Sequence, residues 1–222
     1  MKITIKGIAK KYGKNEVLKD ITFSAESGKC IGILGSNGCG KSTLLSILAG
    51  VQPADGGEFL YEDKDLFKYS YQRTELVGYV PQGTPLIEEL NAKDNLCLWY
   101  DKKELEKELD GGLLSLLGIN EFLKTPVSKM SGGMKKRLSI GCAIAKHPPI
   151  LLLDEPMAAL DLACKQEICD YLRRHKAAGG IILLASHDVT ELELCDECYI
   201  IKDGVACEFQ YDGNLNNLVK SL

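Results

Sequence analysis

The amino-acid sequence predicts an α/β fold with a mostly parallel sheet and a helical insertion. Three observations carry that prediction. Apolar runs of strand length alternate with stretches of helical spacing: "CIGILG" (Cys30 to Gly35) precedes "KSTLLSILAG", and "ILLLDEP" and "GIILLASHD" flank a helix from about Leu162 to Lys176. These runs are apolar throughout, as strands covered on both faces are. Residues 86–145 then break the pattern, being rich in Leu, Lys and Glu.

Taken in order, Lys2 to Tyr12 and Val17 to Ala25 alternate apolar and polar residues, as half-exposed strands do. Cys30 to Gly35 reads as a buried strand. Leu44, Leu45, Ile47 and Leu48 follow helical spacing, and Gly50 then Pro53 stop the helix. Residues 54–82 read as short strands and turns. The insertion carries helical periodicity around Leu105 to Leu117 and again from Lys135 to Ala145. After Pro148-Pro149 the strands return, with a short helix following "GIILLASHD". "CYIIKDGVACEF" holds a Lys202-Asp203-Gly204 turn between two strand-like runs, a hairpin signal. The expected organisation is one domain, with 1–85 and 146–222 forming the core around the 86–145 insertion.

Composition narrows the function classes. The chain has 222 residues, 45% hydrophobic and 26% charged, enough for a substantial core. Its net charge of −4 disfavours wrapping nucleic acid, which needs clustered Lys and Arg. No apolar run approaches the ~20 residues of a membrane helix. The start shows no secretory leader. A cytoplasmic protein is expected, with any membrane span supplied by another chain. The nine scattered cysteines then read as reduced thiols.

"GSNGCGKS" (Gly35, Ser36, Asn37, Gly38, Cys39, Gly40, Lys41, Ser42) fits G-x-x-x-x-G-K-S/T without a mismatch. A chance match is expected in about one chain in a hundred of this length. Glycines let backbone N–H groups turn inward around phosphates, and the next helix points its positive end at them. Lys41 reaches the β- and γ-phosphates, and the Ser42 hydroxyl joins the Mg²⁺ shell.

Asp154-Glu155 ends the apolar run "ILLLDEP", where ligands sit in parallel sheets. Asp154 is placed to hold Mg²⁺ and Glu155 to polarise an attacking water. Standing alone, the pair could equally be an acidic turn. "SGG" (Ser131, Gly132, Gly133) precedes a helix, with Ser131 a natural N-cap. Alone it would read as an ordinary helix start, but it offers a second anion-binding end.

With these residues assembled, nearly the whole chain resembles the ATP-binding cassette (ABC) family. "MSGGM" resembles the signature LSGGQ. Gln82 in "VPQ" is similar to the Q-loop, "AALD" (Ala158 to Asp161) to the D-loop, His187 in "ASHD" to the switch histidine, and Tyr12 in "KKYG" to the adenine-stacking aromatic. The resemblance implies the phosphate-loop ABC ATPase fold, with an antiparallel β subdomain and an inserted helical subdomain. It implies ATP and Mg²⁺ as ligands. Tyr12 would stack on adenine and Gly35 to Thr43 would cradle the phosphates. Ser42, Gln82 and Asp154 would serve the metal, Glu155 would handle the water, and His187 would sense the γ-phosphate. Ser131, Gly132, Gly133 and Met134 would meet ATP held by a second cassette, a copy or a related ATPase, with Asp161 across the seam.

Two positions depart from the family: Met134 stands for the signature glutamine, and Ala158 for a common D-loop serine. Other features read as structural. Cys195 and Cys198 form a lone C-x-x-C, better taken as buried thiols than as a metal or redox site. Cys39 reads as a small loop residue. His147 and His175 are expected at the surface, Trp99 and Tyr100 in the core, and Lys102 to Asp110 on a solvated helix face.

Two functions follow. One is the energising subunit of a transporter whose membrane-spanning permease is a separate chain, peripheral on the cytoplasmic face of the membrane. The other is a soluble ABC ATPase acting on ribosomes or DNA. A single cassette without coiled coils, in an acidic chain, favours the first. The chain end shortly after the hairpin inclines the expected direction toward export.

Overall fold

The computed structural model describes residues 1–158, 160–186 and 189–210, with the side chains of 189 and 190 excepted. The strands are β1 (Lys2–Tyr12), β2 (Asn15–Glu26), β3 (Cys30–Leu34), β4 (Gly56–Tyr61), β5 (Lys64–Asp65), β6 (Val77–Val80), β7 (Ile150–Asp154), β8 (Ile181–Ala185), β9 (Glu197–Lys202) and β10 (Val205–Phe209). The helices are α1 (Lys41–Ala49), α2 (Ser70–Leu76), α3 (Ala92–Leu96), α4 (Lys102–Leu109), α5 (Leu113–Leu116), α6 (Gly132–Ala143), α7 (Leu162–Ala177) and α8 (Val189–Leu192).

All ten strands join one sheet, in the order β5-β4-β1-β2-β10-β9-β3-β8-β7-β6. From β9 to β6 every neighbour pair is parallel. β1, β2, β4 and β5 pair antiparallel, and β9 and β10 form the expected hairpin. The antiparallel block joins the rest of the sheet where β2 runs parallel to β10, with Val205 opposite Asp20.

Side-chain alternation divides the core. Ile150 and Leu152 of β7 and Ile181 and Leu183 of β8 face α1 and the β1–β2 block. Leu151, Leu153, Ile182 and Leu184 face the other way, toward the helical insertion and α7. Every residue of β3, β7 and β8 is buried, which explains why these strands read as unbroken apolar runs.

Three expectations are corrected. The periodic stretch Leu105 to Leu117 is not one helix, because α4 ends at Leu109 and α5 begins at Leu113. Gly111 takes φ 90° there, and a Cβ on Gly112 would lie 2.6 Å from the Glu108 Cα. Residues 54–82 contain α2 as well as strands. It has no buried residue, so it writes no apolar stripe into the sequence. The helix read from Lys135 starts three residues earlier, at Gly132, and ends at Ala143.

Candidate functional site

β3 delivers the chain into the loop Gly35–Gly40, and α1 leaves it. Gly35, Gly38 and Gly40 hold φ of 146°, 81° and 112°. A Cβ on Gly35 would sit 2.4 Å from the Cys39 Sγ and 2.8 Å from the Ile201 oxygen, and one on Gly40 would sit 2.6 Å from Leu18. Gly38 faces open space. Only glycine permits this path, which leaves room on the open side of the loop. α1 has no side-chain cap at Gly40, so its first N–H groups stay available to an anion. Lys41 is 8% exposed, and its ammonium donates to the carbonyls of Gly35 (2.7 Å) and Ser36 (3.1 Å).

β7 brings Asp154 to the same end of the sheet, 2% exposed. Its Oδ2 is buried without a hydrogen-bond partner. Burial raises the carboxyl's pKa, while a hydrogen bond with Ser42 and the charges of Lys136 and Lys41 counter it. Glu155 takes φ 47°, a left-handed conformation that a residue with a Cβ adopts at a cost. Its N–H donates to the Ala185 oxygen at 2.9 Å, and its Oε2 accepts from Gln82 Nε2 at 3.1 Å. A cleft of about 300 Å³ opens among Ser42, Thr43, Gln82 and Asp154. Burial and Asp154 push the Tyr79 phenol at its edge up to about 12, so it stays neutral.

Sequence reasoning missed three contributors. Tyr12, 48% exposed at the end of β1, donates its hydroxyl to Gln52. Gln52 donates to the Ser46 hydroxyl, which donates to the Thr43 carbonyl at 2.9 Å. The tyrosine is thereby tied to α1. Lys10 Nζ lies 5.7 Å from the Tyr12 ring centroid. No local motif announces Gln52 or Ser46, because their significance is three-dimensional. The third contributor is Lys136, buried on α6, whose ammonium reaches the carbonyls of Pro81 and Asp154.

The remaining candidates lie apart from the loop or on its flanks. Ser131 caps α6, accepting from the Met134 N–H at 3.2 Å, with Gly132 and Gly133 in the first turn. Met134 is half-buried against the helical core. Asp161 caps α7, accepting from the Cys164 N–H at 2.9 Å. His187 lies outside the described residues. Trp99 is 55% exposed, against the expected core position, whereas Tyr100 is buried and donates to the Gly141 carbonyl at 2.8 Å. His147 is exposed as expected, but His175 is half-buried and burial lowers its pKa. Cys195 and Cys198 pack beside Gly32 and Cys30. The Cys195 thiol and burial push the Cys198 thiol far above its ordinary pKa, the state of an inert thiol.

The arrangement fits a magnesium-bound triphosphate. An orphaned carboxylate oxygen beside a serine hydroxyl suits a hard cation with oxygen ligands. A glycine cradle with uncapped N–H groups and an inward lysine suits phosphate.

The family model described as ABC transporter matches residues 18–158. This chain belongs to the ABC transporter family. The matched span of this ABC chain holds the phosphate loop, Gln82, the Ser131–Met134 stretch and Asp154-Glu155, and leaves Tyr12, Asp161 and His187 outside it. The linearmycin resistance ATP-binding protein LnrL of Bacillus subtilis is 34% identical over 202 residues, spanning 89% of this chain and 65% of that protein. A sulfate/thiosulfate import ATP-binding protein, CysA of Neisseria meningitidis serogroup A, is 34% identical over 215 residues, or 92% of this chain and 60% of that one. The ABC chain thus spans about two thirds or less of the length of these curated relatives. Among solved structures, an ATP-binding subunit of an ABC transporter superposes with TM-score 0.89 at 25% identity, over 100% of this chain and 99% of that one. A dimeric post-hydrolysis state of the ATP-binding cassette MJ0796 bound to ADP and Pi superposes with TM-score 0.82 at 25% identity, over 94% and 98%. The fold is that of an ABC ATPase domain, as expected.

Proposed function

We propose that this chain binds MgATP, hydrolyses it as a nucleotide-dependent dimer, and so drives transport by a membrane-spanning permease on a separate chain. The observation that carries the reading is the buried, partnerless Asp154 oxygen set against Ser42, with Glu155 next in sequence and the Lys41 cradle alongside.

In this reading the loop N–H groups and Lys41 bind the phosphates, the lysine leaving the carbonyls of Gly35 and Ser36 to do so. Tyr12 stacks on the adenine, held by the Gln52–Ser46 chain. Ser42, Asp154 and Gln82 would hold the cation, which when bound would supply positive charge beside the phosphoryl oxygens. Glu155 orients the attacking water and draws on its proton, and His187 contacts the γ-phosphate. Ser131, Gly132, Gly133 and Met134 of one copy meet the nucleotide of the other, with Asp161 at the seam. Residues 86–145 form the lobe that docks the permease. Among the described residues no helix is long and apolar enough to cross a membrane, in keeping with a separate span. A place on the cytoplasmic face of the membrane completes the reading. Since one relative is by name an import protein, the export expected from sequence gains no support.

The test is Glu155→Gln, which keeps shape and removes the base. With MgATP, wild type should turn over and remain mainly monomeric, and the variant should stop turning over and accumulate as an ATP-bound dimer, read by light scattering. A variant that stays monomeric at saturating MgATP defeats the shared-site mechanism. A wild type that neither binds nor hydrolyses ATP defeats the whole reading.

A further inference from the structure

The helix start at Ser131–Gly133 and the cleft at Asp154 lie on different elements, and one buried side chain connects them. Lys136 is 4% exposed, which is rare for a lysine that lacks good partners. Its ammonium donates to the Pro81 carbonyl at 2.9 Å, across 55 residues of sequence, and approaches the Asp154 carbonyl at 3.5 Å. Burial lowers its pKa, while Asp154, Glu191 and Glu155 all favour its charged form. An ammonium in such surroundings is held in place by its acceptors, because leaving them would strand a buried charge.

What Lys136 touches gives it consequence. Pro81 is the residue before Gln82, and Gln82 donates to Glu155. Asp154 is the residue before Glu155. On α6, Lys136 lies three and four residues beyond Gly133 and Gly132, one turn along the same face. Any displacement of the Gln82 loop or of the β7 end therefore acts, through two carbonyls, on the turn that presents Ser131 to Gly133.

We propose that Lys136 is a positioning residue that couples the Asp154–Glu155 site to the Ser131–Gly133 helix start through the carbonyls of Pro81 and Asp154. The inference rests on the proposed reading of that site as the nucleotide site. It assigns Lys136 no contact with nucleotide. Its role is to keep the two halves of the machinery in register as the cleft fills and empties.

Two variants of the full chain separate coupling from folding. Lys136→Met keeps the buried stem and loses the donor. Lys136→Gln keeps a donor without the charge. Amide hydrogen exchange of residues 131–138 is followed with and without MgADP, which loads the cradle without bridging two copies. Wild type and Lys136→Gln should both change exchange there on MgADP binding. Lys136→Met should bind MgADP within about twofold of wild type yet leave exchange at 131–138 unchanged. With MgATP, Lys136→Met should lose about tenfold in kcat with KM within about twofold, and Lys136→Gln should recover most of the loss.

The proposal is overturned if Lys136→Met responds to MgADP like wild type, if it loses affinity and response together, or if Lys136→Gln is no better than Lys136→Met. Should wild type not bind MgADP at all, the nucleotide reading falls. The nucleotide-free arm still decides the link, since equal exchange at 131–138 in wild type and Lys136→Met refutes it.

Discussion

Asp154 carries the cost of the site at the scale of single residues. Its pKa is raised by burial, so the folded chain resists ionising it. A folded pKa above the unfolded value favours the fold below about 4 and penalises it as pH rises past that range. Asp154→Asn should therefore raise the thermal midpoint of the magnesium-free chain at neutral pH, with the gain shrinking as pH approaches about 4, while MgATP turnover is lost. Scanning calorimetry across pH checks the first part and a phosphate-release assay the second. His175 has the opposite sign of pH dependence. Burial holds it neutral, so the unfolded chain binds its proton more readily and stability falls as pH drops below about 6.5. His175→Gln should flatten that acid slope in urea titrations at pH 5 to 7.

How much of this could be read beforehand depends on sequence distance. Lys41, Ser42 and their glycines lie within eight consecutive residues, and Asp154-Glu155 closes an apolar run, so local spacing exposes both. Lys136 and Pro81 are 55 positions apart, and Tyr12 and Gln52 are 40 apart. Nothing in either neighbourhood marks its partner. His175 carries no local mark of burial either, since only the fold brings Pro149 and the 178–180 turn against α7.

At the scale of elements, capping chemistry decides where helices start. α4 has the full reciprocal box: Asp101 accepts from Lys103 and Glu104, and Glu104 accepts from the Asp101 N–H. Asp101→Ala should cost about 1 kcal/mol, which for a chain this size lowers the thermal midpoint by about 2–4 °C. Thermal unfolding followed by circular dichroism reads that shift, and an unchanged midpoint would mean the insertion does not share in cooperative unfolding. The same segment shows why helix lengths were misjudged. Leu105, Leu109, Leu113, Leu114 and Leu117 keep an apolar rhythm across a break made by Gly111 and Gly112, and the rhythm alone conceals it. α2 failed the opposite way, being helical with no rhythm at all.

For the whole molecule, the parallel order β9-β3-β8-β7-β6 pairs strands far apart in the chain, such as β3 with β8 and β6 with β7. Strand existence was legible because burial on both faces leaves a compositional trace. Strand order was not legible, since crossover connections leave no trace of their own in the sequence. The two cores follow from that order. One lies against α1 and the β1–β2 block, and the other against the insertion and α7.

That double sealing of β3, β7 and β8 bears on how the molecule comes apart. Segments with the densest apolar cover open last, and thinly covered ones open first. The glycine loop hangs from β3 and the Asp154 carboxylate from β7, whereas α4 exposes most of its length. Along a heating ramp, amides of β3, β7 and β8 should exchange last and those of α4 first, so the phosphate cradle and the Asp154–Glu155 pair, hung from the same sealed planks, should be lost late and together.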